Sequence, residues 1–207
     1  MTTSCECASE HGPPKLVVVT GGPGAGKTAV LEIVRRQLCT HIGVLPESAG
    51  IVFGGGFPRK TTAPARRMAQ RSIFHVQSAL EDLVLEERTL SVALCDRGTL
   101  DGLAYWPGDE ASFFCAVGSS LSREIRRYDA VIHLHTPSAG LGYNHENGLR
   151  IESAREAHAI DARIAEVWRA HPRRVVIDSA PNFLDKASQA LSEIRRVLPD
   201  CCRERLH

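Results

Sequence analysis

The sequence predicts a single α/β domain of three layers built on a mostly parallel, five-stranded sheet. Two observations carry that prediction. Five short apolar runs, at 16–19, 43–47, 91–96, 130–135 and 175–178, alternate with helical patterns, as strands joined by helical crossovers do. The 207 residues, 43% hydrophobic and 24% charged, are enough for one proper core of ordinary globular composition. No internal repeat or linker divides the chain. The expected boundaries are a loose leader over 1–14, a domain over 15–199 and a tail over 200–207.

The leader is polar and ends in Pro13-Pro14. The β-branched run Leu16–Val19 then leads into Gly21-Gly22-Pro23-Gly24-Ala25-Gly26-Lys27-Thr28 and a helical pattern. This is the G-x-x-x-x-G-K-[ST] phosphate-binding loop between a strand and a helix, the context that gives the motif its meaning. Glycines allow backbone N–H groups to curl around an anion, and the helix N-terminus adds its positive dipole end. Residues Gly21 to Ala29 are therefore the candidate nucleotide cradle, with Lys27 reaching the outer phosphates and the Thr28 hydroxyl ligating Mg²⁺. In the helix that follows, Val30, Val34 and Leu38 share one face, Leu31 flanks it, and Arg35 and Arg36 lie outside.

The second run ends in Glu47, a carboxylate at the carboxyl end of a strand, where open parallel sheets bind ligands. Glu47 is a candidate to hold or deprotonate a substrate hydroxyl, or else a surface glutamate. Ser48 to Pro64, rich in glycine and proline, reads as a long connector or lid with Arg59, Lys60, Arg66 and Arg67 available to anions. A long helix is expected over 65–87, with Ile73, Val76, Leu80 and Leu83 inward and with His75 and Gln77 solvated or capped.

The third run, Ser91–Asp96, is of buried type and ends in a carboxylate, which is how phosphate-loop proteins place an acid beside Mg²⁺. Arg97 follows at the same crevice, where a guanidinium can clamp a phosphoryl oxygen. Asp101 reads as a supporting carboxylate or a helix cap. One helix is expected over 111–127. In the fourth run, His133 and His135 fall on one strand face like a metal pair, but no third ligand is near in sequence, so they read as ordinary polar residues. A loop over 136–149 leads to Arg150 and Arg155 at the foot of a helix containing Ala157, Ile160, Ile164 and Val167. Those arginines read either as a lid that neutralises a γ-phosphate or as helix-surface residues. Ser179 to Asn182, after the last strand, is a candidate wall of a base pocket. The final helix carries Leu184, Ala187, Leu191, Ile194 and Leu198 at helical spacing.

The formal net charge of +1 exerts no global pull toward nucleic acid or anionic membranes, and no apolar run approaches membrane-span length. The N-terminus lacks the features of a secretory leader, so the seven cysteines are expected as reduced thiols in a cytoplasmic protein. Cys5 and Cys7 with His11, or the Cys201-Cys202 pair, are conceivable zinc ligands. Neither has the usual two-residue separation, and tail thiols are the expected reading.

The order GGPGAGKT, strand-end Glu47, DRGTLDGLAY, YDAVIHLHTP, an arginine-bearing segment and VVIDS resembles the small P-loop proteins with a compact AAA-type ATPase domain. These are similar to the ribosylnicotinamide kinase domain and, more distantly, to thymidylate and deoxynucleoside kinases. The resemblance spans Lys15 to Leu198 and implies a P-loop NTPase fold of kinase type. It matches Asp96-Arg97 to the kinases' Asp-Arg pair, turns Glu47 toward the phosphoryl acceptor and assigns Arg150 and Arg155 to a lid. The sequence departs from the pattern in the 48–64 loop, and in Arg97 where AAA+ motors carry the glutamate that positions water. The expected function is an ATP- and Mg²⁺-dependent kinase acting on a small, nucleoside- or nucleotide-like acceptor, with Lys27, Asp96, Arg97, Glu47, Arg150 and Arg155 as catalytic candidates and Thr28 and Asp96 as metal ligands. The alternative is a regulatory ATPase or nucleotide-dependent switch. No guanine-reading Asn-Lys-x-Asp and no Leu-Ser-Gly-Gly signature is present, and the 5% aromatic content argues against a nucleic-acid substrate. Such kinases are commonly homodimers, though no interface is legible here.

Overall fold

The computed structural model of the chain describes residues 12–37, 39–137, 154–180 and 182–203. Leu38, Cys5, Cys7, His11 and the stretch 138–153 lie outside the described residues. Five strands, β1 (Lys15–Thr20), β2 (Ile42–Leu45), β3 (Val92–Asp96), β4 (Ala130–Leu134) and β5 (Arg174–Ile177), form one sheet of order β2-β3-β1-β4-β5. Every pairing is parallel, so the sheet is wholly rather than mostly so. The strand carrying the phosphate-loop motif is central.

Side chains on a strand point alternately to opposite faces. Val17 and Val19 of β1, Val92 and Leu94 of β3, and Ile132 and Leu134 of β4 enter one core, with α1 (Lys27–Gln37) and α8 (Phe183–Val197) above it. Leu16, Val18, Ala93, Cys95 and Val131 enter the other, against α3 (Ala63–Glu87), α4 (Asp101–Tyr105), α5 (Glu110–Val117) and α7 (Ala154–Val167). Both faces are covered, which is why these strands are apolar throughout. β5 is an edge strand, and Val175 and Val176 are partly exposed.

Several sequence expectations change. Residues 48–64 are not all loop: α2 (Ser48–Gly54) opens there, its buried Ser48 donating to Gln77 Oε1 at 2.7 Å, and it stops at the glycine run ending in Gly56, φ 94°. The expected helix over 111–127 is two. Gly118 ends α5 in the left-handed region, and Ser120 caps α6 (Leu121–Arg126) by accepting from the Arg123 amide. A further short helix, α9 (Asp200–Arg203), follows α8.

The inward stripe of α3 is displaced by one residue. Phe74, Gln77, Glu81 and Val84 are buried, whereas Leu83 is exposed. The reason is polar. Fully buried Glu81 accepts from Gln77 Nε2 at 2.8 Å, from the Tyr128 hydroxyl at 2.9 Å and from Arg127 Nε. The Thr99 amide donates to that same Tyr128 hydroxyl at 2.7 Å. Buried polar groups are tolerated only when satisfied, and this chain of contacts fixes the turn after β3.

Trp168, just beyond α7, is fully buried edge-on against Tyr128, and its Nε1 donates to Asp101 Oδ1 at 2.6 Å. Trp168→Phe removes volume and leaves a buried carboxylate oxygen without its donor. We expect a loss of about 2–3 kcal/mol, measured as a lowered urea midpoint with unchanged slope.

Candidate phosphate-binding and transfer site

β1 delivers the chain into the loop at 21–26, and α1 begins at Lys27. The loop needs glycine for close approach as well as for φ. Gly21 has φ 140°, and a Cβ there would run into the carbonyl of Leu134. At Gly22 a Cβ would meet Thr136 Oγ1, Asp161 Cβ and the Ala157 carbonyl. The loop is therefore pressed against the end of β4 and the first turns of α7.

Asp161 of α7 holds it there. Its Oδ1 accepts from the Gly22 amide at 2.7 Å and from His133 Nε2 at 3.0 Å. Its Oδ2 accepts from His135 Nδ1 at 2.8 Å and from the Thr136 amide at 3.1 Å. Burial opposes the charge on this carboxylate. The donated hydrogen bonds from His133, His135, Thr136 and Gly22 outweigh it and hold the carboxyl well below the usual range. From the opposite side, buried Lys186 of α8 donates to the carbonyls of Ala25, at 2.8 Å, and His135. His133 and His135 thus acquire in space the third partner that the sequence did not place near them. They serve as donors to a carboxylate already taken up with backbone amides.

The charged groups lie on the β3 side. Lys27 is buried and donates to the carbonyls of Gly21, at 3.1 Å, and Gly22, at 3.3 Å. Burial and the neighbouring Arg97 cation bring its ammonium down to about 8, against the pull of Asp96, Glu47 and Asp101. Arg97 has φ 74°, and its amide donates to the Val19 carbonyl at 3.1 Å, pinning the turn to β1. Its guanidinium donates to Glu47 Oε1 at 2.6 Å, Asp101 Oδ2 at 3.2 Å and the Gly21 carbonyl at 3.2 Å. Asp101 also accepts from the Thr20 hydroxyl at 2.5 Å. Burial works against Glu47, but Arg97 and Lys27 prevail and its carboxyl sits below its ordinary value.

Asp96 lies opposite Val19 in the parallel register, at the mouth of the loop. Burial raises its pKa despite Lys27, and its buried Oδ1 has no hydrogen-bond partner among the described residues. A buried carboxylate oxygen without a donor beside a phosphate loop fits a divalent cation. The exposed Thr28 hydroxyl at the start of α1 supplies a second oxygen of the kind Mg²⁺ prefers.

The structure thus brings Lys27, Thr28, Glu47, Asp96 and Arg97 to one end of the sheet. Arg155 is exposed in the first turn of α7 and belongs to none of these hydrogen bonds, and Arg150 lies outside the described residues. Arg66 and Arg67 donate to the carbonyls of Tyr105 and Pro107, tying α3 to the end of α4 and the segment after it. Sequence reasoning missed Asp161, Lys186 and Trp168. The signal for Asp161 was a carboxylate on the apolar stripe of Ala157, Ile160 and Ile164.

A family model described as an AAA domain matches residues 16–186. The chain belongs to this family. Its fold is also that of a thymidylate kinase from Candida albicans, with a TM-score of 0.58, 13% identity, and coverage of 89% of this chain and 92% of the other. No curated protein matches the sequence. No helix among the described residues of this AAA-family chain is long and apolar enough to cross a membrane.

Asp161→Asn tests the clamp. The group's depressed pKa means that its stabilisation is complete above the ordinary value of 3.8 and is lost as pH falls toward the folded-state value. We expect the variant to be less stable than wild type by about 2 kcal/mol near neutrality. The gap should narrow as pH falls below 3.8, read from urea midpoints across an acid series.

Proposed function

We propose that this protein is an ATP- and Mg²⁺-dependent small-molecule kinase, transferring the γ-phosphate of ATP to a nucleoside- or nucleotide-like acceptor. The observation that carries the reading is the convergence of Lys27, Asp96, Arg97 and Glu47 at the N-terminus of α1, with Asp96 Oδ1 lacking a hydrogen-bond partner among the described residues. The glycine-rich loop, residues Gly21 to Ala29, receives the triphosphate through its amides. Thr28 and Asp96 hold Mg²⁺, which when bound offsets the charge of the phosphates. Lys27 exchanges its carbonyl partners for phosphate oxygens. Arg97 orients Glu47, and Glu47, half exposed and held ionised, positions the acceptor hydroxyl and receives its proton. Arg150 and Arg155 are assigned to a lid by resemblance. The kinase fold of the thymidylate kinase supports transfer to a nucleotide-like acceptor over hydrolysis, and a homodimer in the cytoplasm fits that class.

The test is ADP release from Mg-ATP against a panel of nucleosides, nucleotides and pyridine ribosides. Acceptor-stimulated turnover should fall about a hundredfold or more in Lys27→Ala and in Asp96→Asn. Tight ATP binding with no stimulation by any acceptor would instead favour a regulatory ATPase or nucleotide-dependent switch.

The lowered Lys27 value yields a second expectation. At pH 8, near its value of about 8, part of the free protein carries neutral Lys27, and a bound polyanion restores the charge. ATP binding should therefore take up protons, and affinity should weaken as pH rises above that point. Calorimetry in buffers of different ionisation enthalpy reads the uptake, and Lys27→Ala should abolish it.

A further inference from the structure

At the far end of α1 from the phosphate loop, two distant parts of the chain meet. Cys39 lies between α1 and β2, and Cys202 lies in α9, 163 residues later. Both sulfurs are buried and joined as a disulfide, so the expectation that the cysteines are reduced thiols does not hold for this pair. A disulfide accounts for two sulfurs only. His41 Nδ1 sits 3.7 Å from Cys39 Sγ and 4.0 Å from Cys202 Sγ, and Cys201 Sγ lies 3.6 Å from that of Cys202.

The two sulfur–nitrogen spacings are close to edges of a metal tetrahedron, and reduction lets the bonded sulfurs of Cys39 and Cys202 part to form the third. With zinc–sulfur bonds of about 2.3 Å and zinc–nitrogen bonds of about 2.0 Å, ligand atoms around one ion stand roughly 3.6 Å apart. Among the described residues, Cys39, His41 and Cys202 form one of two groups whose ligand atoms all lie within 4.8 Å of one another; the other is the Asp161 clamp with its two histidines. The backbone carrying the thiol–imidazole group is already fixed. The Cys39 carbonyl accepts from the Ile42 amide, the His41 carbonyl from the Ser91 and Val92 amides, and the Pro199 carbonyl from the Cys202 amide.

We propose that Cys39, His41 and Cys202 are a redox-gated site for zinc, closed as a disulfide when oxidised and binding the metal when reduced. A dithiol reductant supplies two electrons and two protons to the disulfide, giving two thiols, and is itself oxidised to a disulfide. Zinc binding then displaces the two thiol protons. In either state a covalent or coordinate tie fastens α9 to the turn between α1 and β2. The metal form adds stability in proportion to the logarithm of free zinc over its dissociation constant.

The experiment uses the full chain, fully reduced under anaerobic conditions or oxidised, and measures retained zinc after gel filtration alongside the visible spectrum after Co²⁺ addition. We expect about one equivalent of zinc and the intense bands of a tetrahedral cobalt thiolate in the reduced protein, and neither in the oxidised one. His41→Ala is decisive, because the disulfide can still form. It and Cys202→Ser should weaken zinc binding by at least about tenfold. Cys115→Ser, at an exposed free thiol, and a Cys5→Ser/Cys7→Ser double variant should retain it. Reduced wild type without stoichiometric zinc or the cobalt–thiolate spectrum, or wild-type affinity in His41→Ala, would overturn the proposal.

Discussion

The amide of Gly22, donated into the buried carboxylate of Asp161, is the contact on which the phosphate loop's position depends. The loop at 21–26 packs little beyond Ala25 into the core, so polar contacts do most of the holding. Asp161 collects one amide from the loop, one from the end of β4 and two imidazoles, and thereby welds α7 to both. Lys186 repeats the device from α8 through the Ala25 carbonyl. The cost of burying the carboxylate is offset by its four donors, whereas the ammonium has two carbonyl acceptors and burial still brings it down to about 8. The loop is shaped by what surrounds it more than by its own sequence.

The other flank uses charge differently. Arg97 joins Glu47 after β2, Asp101 at the start of α4 and the Gly21 carbonyl, so three segments share one planar cation. The guanidinium's fixed fork suits this role, which a lysine would not fill. Behind it, Asp101 is held by Thr20 and Trp168, and the Thr99–Tyr128–Glu81 chain holds the turn from below. Position at the site is thus transmitted through buried polar groups down to α3.

Much of this was legible in the sequence and some was not, for identifiable reasons. The strand and helix alternation showed because parallel strands buried on both faces are apolar throughout. The strand–loop–helix passage and the place of Asp96 and Arg97 at the end of β3 showed because each follows a short motif at fixed spacing. The inward face of α3 was misread because Gln77 and Glu81 occupy positions that a hydrophobic pattern assigns to solvent. Asp161 and Lys186 were passed over for the same reason, since a polar residue on an apolar stripe reads as noise until its partner is known. The Cys39–Cys202 link joins residues 163 apart, and no local rule pairs them. The helix at 48–54 is anchored by a tertiary hydrogen bond from Ser48 to Gln77, which lies beyond any local window.

The Gly21 carbonyl accepts from both Lys27 and Arg97, and the Gly22 carbonyl also accepts from Lys27. The loop is therefore an intramolecular competitor for the cations that an incoming phosphate needs. A ligand gains only the difference between its own oxygens and these carbonyls. A neutral nucleoside offers no better acceptor and leaves the internal bonds intact, whereas a polyphosphate, with full negative charge, displaces them. Discrimination between charged and uncharged ligands is in this sense built into the resting backbone, before any base or sugar is recognised.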